Sequence, residues 1–252
     1  MIEIFLLSLI QGITEFLPIS SSSHLIIFSN FTSYENQSLS IDISLHIGSF
    51  LAVITYFHKD LRRFIRNKIL FFKILIASLP VMLTGFFLVQ TGLIEKIRNI
   101  EIIGWTTLIF GILLYLSDKF KLKKNIDTNF NYKSAIFIGL FQILSLIPGV
   151  SRSGISITAA RLLKFKRFDA AKISFLLSIP TLGAVSIFGI KNLVTLEDMS
   201  ISTLNLISIF LSFIFSLITI NYFLRYIKKF SLNIFVLYRV ILGIALLSLA
   251  YL

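Results

Sequence analysis

The chain reads as an all-α polytopic membrane protein, with six transmembrane helices plus two re-entrant helical hairpins arranged as an inverted-topology repeat. Three observations lead there. Of the 252 residues, 56% are hydrophobic and 14% charged, and the mean hydropathy is +0.90, far more apolar than a soluble domain of that length. Six stretches meet or approach the roughly 20 apolar residues that a membrane helix requires. Basic residues gather in short runs between those stretches, which is the mark of cytoplasmic loops.

Taken in chain order, the first apolar region, 1–30, is too long for one span and is interrupted at Pro18 and the run Ser20 to Ser23. It is expected to be a broken hairpin that enters and leaves on one side. Its hydropathy is one of many such segments, which argues against a cleaved signal peptide. Spans are expected at 42–58, 69–90 and 100–117. A second overlong region, 134–163, is interrupted at Pro148 to Gly154 and reads as the second hairpin. Spans at 173–190, 203–224 and 233–252 complete the set, and the middle one carries no charged residue.

The loops Lys59 to Lys68, Lys119 to Lys133, Arg161 to Lys172 and Arg225 to Lys229 are basic and are expected in the cytoplasm. The loops 31–41, 91–99 and 191–202 hold Glu35, Glu95, Glu197 and Asp198 and are expected outside. The two sets alternate only if each broken segment returns to the side it entered from. The chain is then one membrane domain, 1–252, made of a repeat at 1–117, a cytoplasmic linker at 118–133 and a repeat of opposite orientation at 134–252. An alignment of "GITEFLPISSSS" (12–23) with "QILSLIPGVSRS" (142–153) pairs Pro18 with Pro148 and Ser21 with Ser151. In such architectures the site lies near the midplane, where the two hairpin tips meet.

With no cysteine, disulfides and thiolate metal sites are excluded, and chemistry must come from oxygen, imidazole and guanidinium groups. The net charge of +12 sits in topology loops and suits anionic membrane lipids; no motif supports a nucleic-acid partner.

The candidate site residues follow from where polarity interrupts the oil. Gln11 and Glu15 are four apart on an apolar helix and share one face. An intramembrane carboxylate is functional by default, the alternative being a pair with a loop lysine. Ser20, Ser21, Ser22 and Ser23 follow the helix-breaking Pro18, so their hydroxyls and the first amides of a new helix form an anion cradle; for Ser23, close helix packing explains the residue equally well. In that company His24 is a candidate acid or base. His46 and His58 receive no role. In the second hairpin Arg152 stands between Ser151 and Ser153, flanked by Gly149 and Gly154, and its planar fork suits phosphate oxygens. Its other reading is a structural partner for Glu15, and either way the hairpins touch. Arg239 is expected near the cytoplasmic end of the last span, where it can snorkel.

"QGITEFLPISSSSH" followed at long distance by "PGVSRSG" resembles the undecaprenyl-diphosphate phosphatase family, also called the BacA/UppP family, across essentially the whole chain. The first family motif is met by Gln11, Glu15, Pro18, Ser20, Ser21 and His24, the second by Pro148, Gly149, Ser151, Arg152, Ser153 and Gly154. Ser22 and Ser23 stand where the family commonly has Thr-Gly, and Gln11 replaces a second glutamate. The resemblance implies an enzyme of the bacterial cytoplasmic membrane, its site opening to the outer side, that hydrolyses a polyprenyl diphosphate left by cell-wall polymerisation to the monophosphate and inorganic phosphate. On that reading Arg152 clamps phosphate with Ser20, Ser22, Ser151, Ser153 and Gly154. Ser21 or a water attacks, His24 moves protons, and Glu15 with Gln11 either holds a divalent cation, Mg2+ or Ca2+, or activates the nucleophile. Partners expected are the lipid substrate, membrane lipids and a second copy of the chain in a homodimer. A flippase or anion transporter of inverted-repeat type is the alternative. A membrane serine peptidase is disfavoured because acyl transfer gives Arg152 no duty.

Overall fold

The fold comes from a computed structural model that describes residues 1–31, 39–66, 68–93, 97–120, 123–195 and 203–251. Glu35, Glu95, Lys121, Glu197 and Asp198 lie outside the described residues. The helices are α1 (Ile2–Thr14), α2 (Ser21–Phe31), α3 (Leu39–Tyr56), α4 (His58–Arg66), α5 (Lys68–Gln90) and α6 (Ile100–Asp118). After the short α7 (Ile126–Asn129) come α8 (Tyr132–Ile143), α9 (Arg152–Leu162), α10 (Arg167–Thr195), α11 (Thr203–Lys229) and α12 (Asn233–Tyr251). A 3₁₀ turn, Leu144–Leu146, extends α8. Among the described residues the only β contact is an isolated bridge between Lys124 and Phe165.

Among the described residues six helices are long and apolar enough to cross a membrane: α3, α5, α6, α10 over Arg167–Lys191, α11 and α12. The protein is an all-α, multi-pass membrane protein. The predicted spans are all present, with two differences. The basic stretch after the first span is helix α4, set off from α3 by a turn at Phe57. The last residues of the expected basic loop, from Arg167 on, are the first turns of α10. Both follow from the same cause, since Lys and Arg are good helix formers that carry a helix past the hydrocarbon edge. Pro80 and Pro180 lie inside α5 and α10. Around Pro180, Ser178 and Thr181 bond the Phe175 and Leu177 carbonyls at 2.6 and 3.0 Å, the kind of local adjustment that lets proline sit in membrane helices.

Lipid is as apolar as leucine, so small residues and close backbones hold such helices together. α3 meets α11 through Ser49, whose hydroxyl lies 3.2 and 3.0 Å from those of Ser212 and Ser216, and Ser212 donates to the Leu45 carbonyl at 2.7 Å. α1 packs on α11 and α8 on α5. At both crossings a glycine is required. A Cβ on Gly12 would strike Phe215 and the Ser216 backbone, and one on Gly139 would strike the Ala77 backbone. The core between these pairs is aromatic: Phe175 meets Phe16, Phe57 and Phe223 with ring centroids 5.3, 6.2 and 5.8 Å apart. Phe87, Ile187, Phe210 and Tyr222 face outward, as lipid-facing positions should.

At the basic end of the bundle, Asp118 closes α6 and is almost fully buried. Arg167 binds both its carboxylate oxygens, with bonds of 2.8 and 2.9 Å. Arg161 donates to the same carboxylate at 3.2 Å and to the carbonyls of Phe165, Asp118 and Phe120. The Leu232 amide, between α11 and α12, is the fourth donor group, at 3.3 Å. Arg161 is thus not a solvated loop residue. It is fully buried and ties α9 to Asp118, which in turn joins α6 to α10 and the α11–α12 turn. Removing one partner of a buried ion pair costs about 3–5 kcal/mol. Asp118→Ala is expected to lower the midpoint of heat-induced aggregation sharply in fluorescence size exclusion, while the fraction that stays folded keeps its activity at low temperature.

Candidate active site

Two interruptions build the site. α1 stops at Thr14, and Pro18, which has no N–H and clashes with the preceding turn, prevents a direct continuation. The chain restarts at Ser21 immediately after Ser20, whose φ of 77° lies in the left-handed region where a residue with a Cβ is strained by roughly 1–3 kcal/mol. His24 offsets this, since its Nδ1 donates to the Ser20 carbonyl at 2.6 Å. That bond fixes the proton on Nδ1 in the neutral ring, so Nε2 accepts from the Tyr238 hydroxyl at 2.6 Å. In the second interruption Gly149 (φ 93°) and Ser151 (φ 71°) are both left-handed. A Cβ on Gly149 would also collide with Thr106, so only glycine fits. Ser151 then caps α9, accepting from the Gly154 amide at 3.1 Å.

The two left-handed serines mark equivalent steps, each the last residue before a helix. Laying the breaks over each other at these residues pairs Ser20 with Ser151 and Gln11 with Gln142. That is one residue away from the pairing of Ser21 with Ser151 suggested by the letters alone.

The tips touch. Arg152 Nη2 lies 2.9 Å from Glu15 Oε1. The other carboxylate oxygen accepts from Ser21 Oγ at 2.6 Å and from Gln11 Nε2 at 3.1 Å. Ser153 Oγ donates to the Leu17 carbonyl at 2.7 Å and lies 3.1 Å from Ser151 Oγ. A cavity of about 200 Å³ opens at this junction. Glu15, Ser20, Ser21 and Ser22 form one wall, Ser151 and Arg152 another. α3, α5, α8 and α10 close it with His46, Val81, Gln142, Thr181, Leu182 and Val185.

Six of the predicted site residues therefore share one cavity: Glu15, Ser20, Ser21, Ser22, Ser151 and Arg152. The others stand behind it. Gln11 is fully buried and steadies Glu15. Ser153 ties the two breaks together, and Gly154 lets Arg239 approach, since a Cβ there would stand 2.9 Å from its guanidinium. His24 is not in the cavity wall, both its ring nitrogens being engaged by Ser20 and Tyr238. Ser22 and Ser23 are helical, so no glycine conformation is required where the family's Thr-Gly stands.

Arg239 was expected to snorkel and does not. It is fully buried and hydrogen-bonds the carbonyls of Thr107, Pro18, Val150 and Gly149 at 3.2, 3.3, 3.0 and 2.9 Å. Six residues into α12, it sits roughly 9 Å along the axis, within snorkelling reach of the interface, so position alone did not decide its direction. The deciding factor is the set of carbonyls that broken helices leave without donors. That signal was in the sequence: Arg239 is the sole charged residue after Lys229. His46 was also missed. Its Nδ1 bonds the Asp42 carbonyl at 2.8 Å, and its ring faces the cavity that Glu15 lines.

The chain matches the family described as Bacitracin resistance protein BacA over residues 4–245. The chain belongs to the BacA family. It is 51% identical over 251 residues to the undecaprenyl-diphosphatase of Pelagibacter ubique (strain HTCC1062), covering 99% of this chain and 98% of that one. The undecaprenyl-diphosphatase of Jannaschia sp. (strain CCS1) is 41% identical over 261 residues, with 98% of each chain covered. That of Roseobacter denitrificans (strain ATCC 33942 / OCh 114) is 40% identical, covering 99% and 98%. The two motifs by which the sequence resembled this family are the two breaks that meet at the cavity.

Arg239→Leu leaves four buried carbonyls without their donor, at about 1–3 kcal/mol each, and is expected to abolish folded protein. Arg239→Lys offers three donors from one point and is expected to fold at reduced yield with little activity. Recovery of monodisperse protein and its turnover check both.

Proposed function

We propose that this protein hydrolyses undecaprenyl diphosphate, or a related polyprenyl diphosphate, to the monophosphate and inorganic phosphate. The observation that carries this reading is the meeting of Ser21, Glu15 and Arg152 at one cavity inside a membrane bundle. A lipid diphosphate keeps its tail in hydrocarbon and needs a polar, cation-bearing notch for its head group. The relatives named as undecaprenyl-diphosphatases support the reading. A flippase or anion carrier is not favoured.

In the mechanism that fits this geometry, the terminal phosphate displaces Glu15 from Arg152, whose fork suits two phosphate oxygens. First-turn amides of α2 and α9 other than that of Gly154, which Ser151 takes, have no intrahelical acceptor and add donors. Ser21 Oγ, already hydrogen-bonded to Glu15, attacks the terminal phosphorus, and Glu15 takes the serine proton. The bond to the bridging oxygen breaks, and Glu15 passes the proton to the departing polyprenyl phosphate. Water then attacks the phosphoserine with Glu15 again as base, and Ser21 regains the proton. His24 acts in this scheme as a positioning residue, holding Ser20 in its left-handed turn.

The donor set fits a divalent cation only in part. Among the described residues no three His, Cys, Asp or Glu side chains cluster, but Gln11 Oε1 is buried and unpartnered beside the Glu15 carboxylate. Mg2+ commonly takes one or two carboxylates, substrate phosphates and several waters. Glu15 and Gln11 would hold such an ion together with the diphosphate, and the ion would neutralise phosphate charge. Metal affinity should then be weak without substrate and rise with it.

The inverted repeat is our reading of the topology. It is supported by matching contacts, α1 on α11 with α8 on α5, and α3 on α11 with α10 on α5. With the basic loops in the cytoplasm, His46 lies in the outer half of α3 and Val185 in the outer half of α10. The cavity then opens to the outer face of the bacterial inner membrane.

Purified protein in detergent, with no sealed compartment, should release phosphate from a polyprenyl diphosphate; absence of release from folded protein sinks the reading. Arg152→Ala should cost on the order of 10³-fold in turnover, and Arg152→Lys should not restore it. Glu15→Gln should express well and be nearly inactive. Quenching during turnover should trap phosphate on Ser21, whereas an unlabelled Ser21 with full activity would assign the attack to water. A thiol at Thr91, in this cysteine-free chain, should react with an impermeant reagent from outside and one at Thr128 should not.

A further inference from the structure

Gln142 has no role in the scheme above. It sits in the last turn of α8, is fully buried, lines the cavity, and neither its Nε2 nor its Oε1 has a hydrogen-bond partner. Around it the lining mixes Val81, Leu146 and Leu182 with Ser145 and Thr181, yet neither hydroxyl bonds the amide. A fully buried primary amide with no partner for its donor or its acceptor is unfavourable. A methionine or leucine would pack there without that cost. The backbone of α8 lies tight against α5 here, as a Cβ on Gly139 one turn back would strike Ala77. The overlay of the two breaks gives Gln142 the same place relative to Ser151 that Gln11 has relative to Ser20. Gln11 uses its Nε2 on the Glu15 carboxylate. At the position corresponding to Glu15 the second break has Leu146, so the Gln142 amide faces a site with no resident anion.

We propose that Gln142 is a substrate-binding residue: its Nε2 donates to a phosphate oxygen of the bound diphosphate in the cavity that Arg152 also lines. The anion that the second break lacks is brought by the substrate. This rests on the diphosphate-hydrolase reading. The resting protein holds the amide unpaired, and the diphosphate supplies the acceptor when it enters. Gln142 is therefore a cost to the empty protein and a gain to the loaded one.

That reciprocity sets the test. Gln142→Met keeps length and volume and removes both polar groups. Measured in detergent on a polyprenyl diphosphate beside the wild type, it should lose about 10- to 100-fold in kcat/KM, the scale of one hydrogen bond to a charged group. The midpoint of heat-induced aggregation should stay level or rise. Gln142→Glu keeps the shape but turns an oxygen toward the phosphate, and should weaken inhibition by inorganic phosphate at least 10-fold. A lowered thermal midpoint in Gln142→Met makes the residue structural and overturns the proposal. So does near-normal kcat/KM in that variant, or unchanged phosphate inhibition in Gln142→Glu. An inactive wild type would instead strike the hydrolase reading itself.

Discussion

The fold depends on how a chain can stop being helical inside hydrocarbon. Every buried backbone carbonyl freed by a break needs a donor, and away from the cavity the protein itself has to supply it. Ser153 serves Leu17, His24 serves Ser20 and Thr106 serves Pro148, but one guanidinium serves carbonyls of both breaks at once. Arg239 reaches Pro18 in the first and Gly149 and Val150 in the second, while its Nε holds Thr107 on α6. The interruptions cannot drift apart without losing these bonds. With the Glu15–Arg152 and Ser153–Leu17 contacts, a side chain that does not line the cavity thus helps to hold its two sides together. A planar cation with five N–H groups suits this task, and a carboxylate beside it would compete for the same donors.

The second constraint is charge. Glu15 and Arg152 neutralise each other at 2.9 Å, so neither of these two charges stands unpaired in the membrane interior. In the mechanism proposed above, the diphosphate would exchange one anion for another on Arg152 and free the carboxylate that Ser21 already touches. The pair that makes the resting site tolerable would then be the pair that parts for chemistry.

The six spans were legible because each is a run of apolar residues bounded by charge, and hydrophobic length alone marks them. The two breaks were legible because proline, glycine and serine interrupt oil at Pro18 and at Pro148 to Gly154. Glu15, Ser21 and Arg152 followed because each is polar where polarity is costly. What escaped has a common character. Arg239 looked like an interfacial cation because depth along a helix does not say which way a long side chain turns. Arg161 looked like part of a basic loop because its partner, Asp118, lies 43 residues away. Gln142 and His46 are uncharged or ordinary in composition, and only the closing of the bundle brings them to the cavity. His24 was placed by sequence neighbours, yet one helical turn carries its ring to Tyr238 on α12.

The buried node around Asp118 bears on how lipid can move. It ties the end of α6 to α9, α10 and the α11–α12 turn, and the serine contacts of α3 with α11 brace the middle of the bundle. Alternating access requires groups of helices to rock against each other, and here that motion would open several buried polar contacts at once.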